Sequence, residues 1–415
     1  MGNFCGIIDQ APRLLNLGAV PTQTEIANIE FDITLDCNLR CRYCYKGEAS
    51  QTPMPRRVAF DAVIWLIHAS GNQKNLGVFF LGGEPLMNWE LIKELIPFGM
   101  TRARQHRKEL TFGMTTNCTL VTDEVVDFFR QWNATFHTSF DGLPEIQNKN
   151  RPTASGGPSS HLVEKGIKKI LAYQPGVAAR CTYDAENAHL LFENYKYFRS
   201  LGYTNIIQIP ALSATWTEDV IEELEDNYMK IAAYWLEEAR KGTFVFFKHF
   251  EDFFSNRKKD KRGTVPCGSG RGYGVINANG DYFPCSRWGI HDKETWSFGN
   301  IYEGFYENKR EELMRGFQES DFLPECASCE ARCVCSGGCL AENLDTVGSP
   351  FTVIPISCKI SKIWVKAGRH VLDTMVEEKN TDFIKRYCPE ELKACLDGEG
   401  TVSEKRMPDY GQPQC

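Results

Sequence analysis

The sequence predicts an α/β protein, a partial (β/α)6 TIM-like barrel followed by a cysteine-rich C-terminal domain. Three observations carry this reading. Short β-rich runs alternate with helix-length segments from residue 30 to residue 210, and glycine and polar motifs sit just past the ends of those runs. Eight of the 17 cysteines fall between Cys267 and Cys358.

The β-rich runs are Glu30–Leu35, Leu76–Leu81, Leu110–Thr115, Ala134–Phe140, Val177–Cys181 and Asn205–Ile209. The gaps hold Val58–Ala69, Glu90–Arg104, Asp123–Gln131, Ser160–Ala172 and Glu186–Ser200, each suited to a helix. Strands separated in this way pair in parallel through right-handed crossovers, and six units suit a partial barrel with its site at the C-terminal strand ends. A doubly wound sheet is the alternative and would use fewer of those ends.

Residues 211–262 read as a bridge, with an amphipathic helix near Glu218–Ala239 and the run Arg257-Lys258-Lys259-Asp260-Lys261-Arg262. That run is either a solvated linker or a grip for an acidic peptide. The expected organisation is an extension at 1–29, the barrel at 30–210, a helical bridge at 211–262, a cysteine-rich domain at 263–360, and a helical segment with a tail at 361–415.

A net charge of -7 gives no general attraction to nucleic acid or anionic lipid. No apolar stretch approaches the roughly 20 residues that cross a membrane, and the N-terminus lacks a basic region followed by an apolar run. Gly6 stands where a myristoylation motif requires Ser or Thr. The expected location is therefore cytoplasmic, with neither nucleic acid nor membrane as partner. An odd cysteine count without a secretion signal favours metal or cluster ligands over disulfides.

The stretch Asp36-Cys37-Asn38-Leu39-Arg40-Cys41-Arg42-Tyr43-Cys44-Tyr45 follows the first strand. Soft thiolates suit iron, and a cubane cluster normally takes four of them. Three leave one iron open to another ligand unless a remote residue fills the place. Gly82-Gly83-Glu84-Pro85 follows the second strand and Thr116-Asn117 the third, Ser139 and Asp141 end the fourth, and Arg180 lies in the fifth.

The Cys-x3-Cys-x2-Cys motif joined to Gly-Gly-Glu-Pro at the next strand end resembles that of radical S-adenosylmethionine (SAM) enzymes, over about residues 30 to 210. The resemblance implies that Cys37, Cys41 and Cys44 hold a [4Fe-4S] cluster whose fourth iron chelates SAM, which reductive cleavage converts to a 5′-deoxyadenosyl radical. It places Tyr43 at the adenine, with a loop-core ring as its plainer role. Gly82 and Gly83 would let the backbone approach the methionyl group, and Glu84 would accept from the SAM amine. Asn117 and Ser139 would orient ribose or carboxylate, and Arg151 or Arg180 would balance the carboxylate charge. Plainer roles are a turn cap for Ser139, an ordinary turn at Asp141-Gly142 and a structural ion pair for Arg180.

Beyond residue 263 the pattern Cys267, Gly280, Cys285, Cys326, Cys329, Cys335, Cys339 and Cys358 resembles the SPASM extension of the same enzymes. The segment Gly280-Asp-Tyr-Phe-Pro-Cys285 suggests a hairpin that presents a thiolate. The resemblance implies two auxiliary [4Fe-4S] clusters, three in all, with Cys267, Cys285 and Cys339 serving the first and Cys326, Cys329, Cys335 and Cys358 the second. Zinc is the alternative for such thiolate groups. Cys333 is extra to the pattern and either closes the first auxiliary site, exchanges with a ligand, or is a buried thiol.

Ser139-Phe140-Asp141-Gly142, Gln147-Asn-Lys-Asn-Arg-Pro152 and Gly156-Gly-Pro-Ser159 resemble segments of peptide and sulfatase maturases. The expected function is hydrogen abstraction from a residue of a ribosomal precursor peptide, followed by an intrapeptide C–C or thioether crosslink. The alternatives are formylglycine formation in a sulfatase, peptide epimerisation, and a nonenzymatic iron–sulfur electron carrier, which leaves Gly82-Gly83-Glu84-Pro85 unexplained. Formylglycine chemistry is disfavoured because Ser286 stands where the sulfatase maturases carry a proton-accepting aspartate, and a serine needs a separate activating partner. The implied partners are the precursor peptide or protein, a reductant such as flavodoxin or ferredoxin, and a leader-peptide-binding protein or the bridge at 211–262.

Overall fold

Strand β1 (Asn28–Thr34) buries Ile29, Phe31 and Ile33 on one face and sets Glu30, Asp32 and Thr34 on the other. This period of two runs through the strands that follow, β2 (Asn75–Gly82), β3 (Glu109–Thr116) and β4 (Thr135–Ser139). All pair in parallel, and the register aligns Phe31, Phe80, Met114 and Phe136 in one row. Each of those four side chains is fully buried. The opposite row runs from Glu30 through Phe79 and Gly113 to Thr135.

Helices α1 (Arg56–Ala69), α2 (Trp89–Gln105) and α3 (Asp123–Gln131) fill the gaps between these strands, with α4 (Pro144–Asn150) and α5 (Ser160–Tyr173) after β4. Thr122 caps α3 by accepting from Val125 N, and Asp123 and Glu124 in its first turn complement the helix dipole. The computed structural model describes residues 17–22, 25–47, 53–261, 267–318 and 324–389.

The chain then enters a second unit, made of Ala178–Thr264 and Phe317–Cys415, the first unit being Met1–Val177 with Val265–Gly316. In the second unit β5 (Ala178–Tyr183), β6 (Asn205–Pro210) and β7 (Phe246–Phe247) pair in parallel, with α6 (Leu191–Ser200), α7 (Glu218–Arg240) and α8 (Lys248–Asn256) between and after them. All six expected strands form, and their helices follow within a few residues of the expected bounds.

On returning to the first unit, β8 (Tyr273–Ile276) pairs in parallel with β1, and β9 (Asp281–Phe283) folds back on β8. β10 (Gly299–Asn300) and β11 (Gly304–Phe305) extend this edge, so the order within the unit is β11-β10-β9-β8-β1-β2-β3-β4. The hairpin expected before Cys285 is thus present, turning at Gly280 with φ +83° while Asn277 Oδ1 accepts from the amides of Asn279 and Asp281. Its pairing with β1 was not legible in the sequence. An open β1 edge would expose a row of backbone donors and acceptors, and β8 satisfies them.

The second unit closes with α9 (Leu340–Val347), α10 (Pro355–Glu377) and α11 (Thr381–Tyr387), α10 packing on α7 and α8. Gly368 lets α10 approach Phe253, which a Cβ would meet at 3.0 Å. Trp235 lies at the centre with no exposed surface, among Phe250, Phe254 and Phe383, and its indole donates to Val245 O at 2.8 Å. Arg257, at the head of the charged run, turns inward to Phe254 O and lies 3.5 Å from Cys388 Sγ, so this part of the run is not solvated linker. The expected extension and tail fall largely outside the described residues. Trp235→Ala is expected to cost about 3–5 kcal/mol, read as a lower denaturant midpoint in equilibrium unfolding.

Candidate active site

The cysteine loop leaves the end of β1 and is stitched to residues 150–154. Arg40 N donates to Pro152 O, Arg42 N to Asn150 O and Ala154 N to Asn38 O, all within 2.9 Å. Leu39 and Thr153 form an antiparallel bridge. The segment at 150–154 is itself fixed from behind. Gln147 donates to Ser159 Oγ, Ser159 Oγ donates to Arg151 O, and Asn148 Oδ1 receives the amides of Ser159 and Ser160. The Gln147–Pro152 and Gly156–Ser159 motifs therefore brace the thiols.

Asp141 is fully buried, and its carboxylate accepts from Arg151 Nη2 at 3.0 Å and from the Tyr43 hydroxyl. Arg151 lies over the Tyr43 ring at 5.3 Å and also reaches the Cys41 thiol. Asp141 thus exceeds the turn role the sequence suggested; it is the counterion of this group. Arg151 Nε is buried with no acceptor in the protein, one donor left over for a group the chain does not supply.

Burial pushes the Cys37 thiol up to about 11 and raises that of Cys41, where the Arg151 charge opposes the rise. Cluster binding must therefore displace protons from these thiols at neutral pH. Leu39 N and Asn117 Nδ2 lie 3.4 and 3.8 Å from Cys37 Sγ, the N–H···S contacts that tune cluster thiolates. Asn117 Nδ2 also donates to Asn38 Oδ1. The thiols of Cys41 and Cys44 are close enough to disfavour ionisation of Cys37.

Gly82 has φ +116°, and a Cβ there would meet Thr34 O at 2.0 Å. A Cβ on Gly83 would meet Asp36 O at 2.1 Å. These glycines therefore admit the end of β1 and the start of the cysteine loop, a reason for them that the sequence did not disclose. Glu84, fully buried, clasps the next strand end: Oε1 accepts from Leu86 N and Thr116 Oγ1, and Oε2 from Asn117 N at 2.7 Å. Burial outweighs these donors and pushes its carboxyl up to about 7.

A second buried group joins the loop after Cys44 to the segment after Cys285. Lys46 Nζ lies 2.6 Å from Asp32 Oδ2 and 2.9 Å from Ser286 O, while Ser286 Oγ donates to Asp32 Oδ1 at 2.9 Å. Ser286 accordingly has the carboxylate partner that the sequence left unidentified. Because Lys46 already neutralises Asp32, the group supplies a hydrogen bond rather than a free base.

Ser139 is half-buried at the end of β4, and Arg180 is exposed on β5 in the second unit. In the first unit Cys267 and Cys285 both lie within electrostatic reach of Tyr273, whose hydroxyl is hydrogen-bonded to Glu30. In the second unit, burial raises the Cys358 thiol, and Cys335, Cys326 and Cys329 add to the rise. These are the four thiols assigned to one auxiliary cluster, Cys358 lying 23 to 32 residues beyond the other three. Cys339 is exposed. Cys333 is buried and directs its thiol to Glu330 O at 3.6 Å, in keeping with the buried-thiol option. Among the described residues no three His, Cys, Asp or Glu side chains are already closed to metal-binding geometry.

Residues 32–183 match the Radical SAM superfamily model. An uncharacterized protein of Methanocaldococcus jannaschii, MJ0907, is 27% identical over 42% of this chain, and the match spans only 59% of that protein's length. The radical SAM cyclopropyl synthase TigE of Paramaledivibacter caminithermalis is 22% identical over 84% of this chain and 75% of its own length. A cysteine-type anaerobic sulfatase-maturating enzyme of Clostridium perfringens is 25% identical over 73% of this chain and 85% of its own. The solved structure of native anSMEcpe with bound AdoMet and Cp18Cys peptide matches with a TM-score of 0.70 at 18% identity, over 85% of this chain and 99% of that one. No helix among the described residues is long and apolar enough to cross a membrane.

Because the folded state holds the Glu84 proton more tightly than the unfolded chain, stability is expected to fall as pH rises from about 4.5 to about 7 and then level off. A shift of this size corresponds to about 3 kcal/mol. Glu84→Gln should remove this component, read from urea unfolding at pH 5 and pH 8; an unchanged pH dependence would sink the assignment.

Proposed function

With residues 32–183 forming a radical SAM domain, we propose that this enzyme is a peptide maturase that links two residues of a ribosomal precursor peptide through a C–C or thioether bond. The observation that carries the reading is the strand-end assembly, in which three thiols share their surroundings with Arg151 and its unpaired Nε, Asn117 and the buried Glu84. The donor set fits a cluster and SAM. Cys37, Cys41 and Cys44 would hold the [4Fe-4S] cluster, Arg151 Nε would meet the SAM carboxylate, and Glu84 keeps one lone-pair site for the amine. Tyr43 would border the adenine, while Asn117 and Ser139 contribute polar contacts and Gly82 and Gly83 keep the backbone close.

When bound, the cluster and SAM supply a 5′-deoxyadenosyl radical, and the auxiliary clusters supply an acceptor for the second electron that crosslinking releases. Cys326, Cys329, Cys335 and Cys358 would hold one auxiliary cluster, supported by their mutual proximity. Cys267 and Cys285 would serve the other. The substrate is a peptide or protein segment, and a flavodoxin or ferredoxin would serve as reductant.

Two relatives pull the product assignment in different directions, one a radical SAM cyclopropyl synthase and one a sulfatase-maturating enzyme. Ser286 favours crosslinking, since its hydroxyl is committed to a carboxylate that Lys46 neutralises. Formylglycine formation is the second reading, favoured by the similarity to a cysteine-type anaerobic sulfatase-maturating enzyme over 73% of this chain.

Anaerobic reconstitution should give about twelve iron atoms per chain for three cubanes. SAM and dithionite should then yield 5′-deoxyadenosine, lost when Cys37, Cys41 and Cys44 are all changed to Ala. Mass spectrometry of a short peptide encoded beside this gene should show loss of two hydrogens. Turnover of a sulfatase-type cysteine peptide to formylglycine instead would replace the first reading with the second.

A further inference from the structure

Lys46 and Ser286 stand 240 residues apart in the chain, yet both close on Asp32. The three residues are each no more than 7% exposed. A second contact runs beside them: Tyr45 Oη lies 3.2 Å from Ser286 Oγ, and Arg287 lies over the Tyr45 ring at 5.6 Å. Adjacent residues of one loop, Tyr45 and Lys46, therefore meet adjacent residues of another, Ser286 and Arg287. The first pair follows Cys44 directly and the second follows Cys285.

A buried ion pair stabilises a fold no better than well-packed apolar side chains, and its best-attested use is to select one arrangement over others. Here both carboxylate oxygens of Asp32 are occupied, one by Lys46 and one by Ser286, and Lys46 also holds the Ser286 carbonyl. Sliding either loop by one residue would leave a buried charge without its partner. The contact therefore specifies register.

We propose that Asp32, Lys46 and Ser286, flanked by Tyr45 and Arg287, form a latch that fixes the Cys285 segment against the Cys44 loop. Its function is to set the separation and orientation of the catalytic cluster and the first auxiliary cluster, which rests on the cluster reading given above. Lys46 and Asp32 are positioning residues. They act through the loops that carry the thiolates.

The test uses the full-length, anaerobically reconstituted protein and Lys46→Met, which keeps the length of the side chain and removes its charge. Hydrogen exchange should accelerate together at residues 44–47 and 285–291, while the amides of β2 and β3 keep their protection. Acceleration at one segment alone, at neither, or evenly across the unit would overturn the latch. Pulsed EPR on the reduced clusters should show a single intercluster distance in the wild type that is lost in Lys46→Met; an unchanged distance overturns the positioning role. If Lys46→Met does not fold, Ser286→Ala deletes the hydroxyl contacts to Asp32 and Tyr45, leaves the Lys46–Asp32 pair, and should show the same paired loosening at lower amplitude. The wild-type iron count judges the cluster reading separately: about four atoms per chain would remove it, whereas the exchange pattern would still decide the latch.

Discussion

Arg151 carries a charge that cannot be left unpaired in the interior, and much of the first unit is arranged around satisfying it. Asp141 supplies the counterion from the end of β4, Tyr43 supplies a ring face and hydroxyl from the cysteine loop, and Cys41 lies in reach of the guanidinium. The backbone on either side of Arg151 holds the cysteine loop by bonds to residues 38–42. A charge group and a backbone ladder thus confine the same loop, so the thiols approach a cluster from a braced framework. The arginine also retains a donor, which links the structural role to the ligand it is proposed to meet.

Glycines and carboxylates at the other strand ends do comparable work. Gly82 and Gly83 let β2 crowd the end of β1, and Glu84 then reaches across to Thr116 and Asn117. Asn117 in turn touches Cys37. The chain of contacts from β2 through β3 back to the first thiol explains why the Gly-Gly-Glu-Pro motif stands one strand away from the cysteines it serves. Its glutamate is held by three protein donors in a site dry enough to raise its carboxyl, so position and protonation are set together.

Much of the fold was readable because its determinants are local and periodic. Alternation in Asn28–Thr34 and the apolar face of Asp123–Gln131 are properties of short windows, and the strands and helices formed close to where the sequence placed them. The three thiols were also readable through residue type and spacing, whereas Arg151 came only from the family resemblance, with Arg180 as its alternative. Asp141 was missed because an Asp-Gly pair after a strand is the ordinary signature of a turn, and only its complete burial marks it as a counterion. Asp32 and Lys46 were missed because neither belongs to a motif, and their partner lies at Ser286.

By itself, the sequence determined the α/β alternation, the soft-ligand triplet at the first strand end and the paired cysteine groups near the C-terminus. Each depends on residue type and short spacing, which the chain carries before it folds. The tertiary structure decided that β8 pairs with β1, that Cys358 lies near Cys326, Cys329 and Cys335, and that Ser286 donates to a carboxylate beside a lysine. Those outcomes depend on burial and on contacts across tens to hundreds of residues, where an unsatisfied charge or strand edge is costly only once water has been excluded.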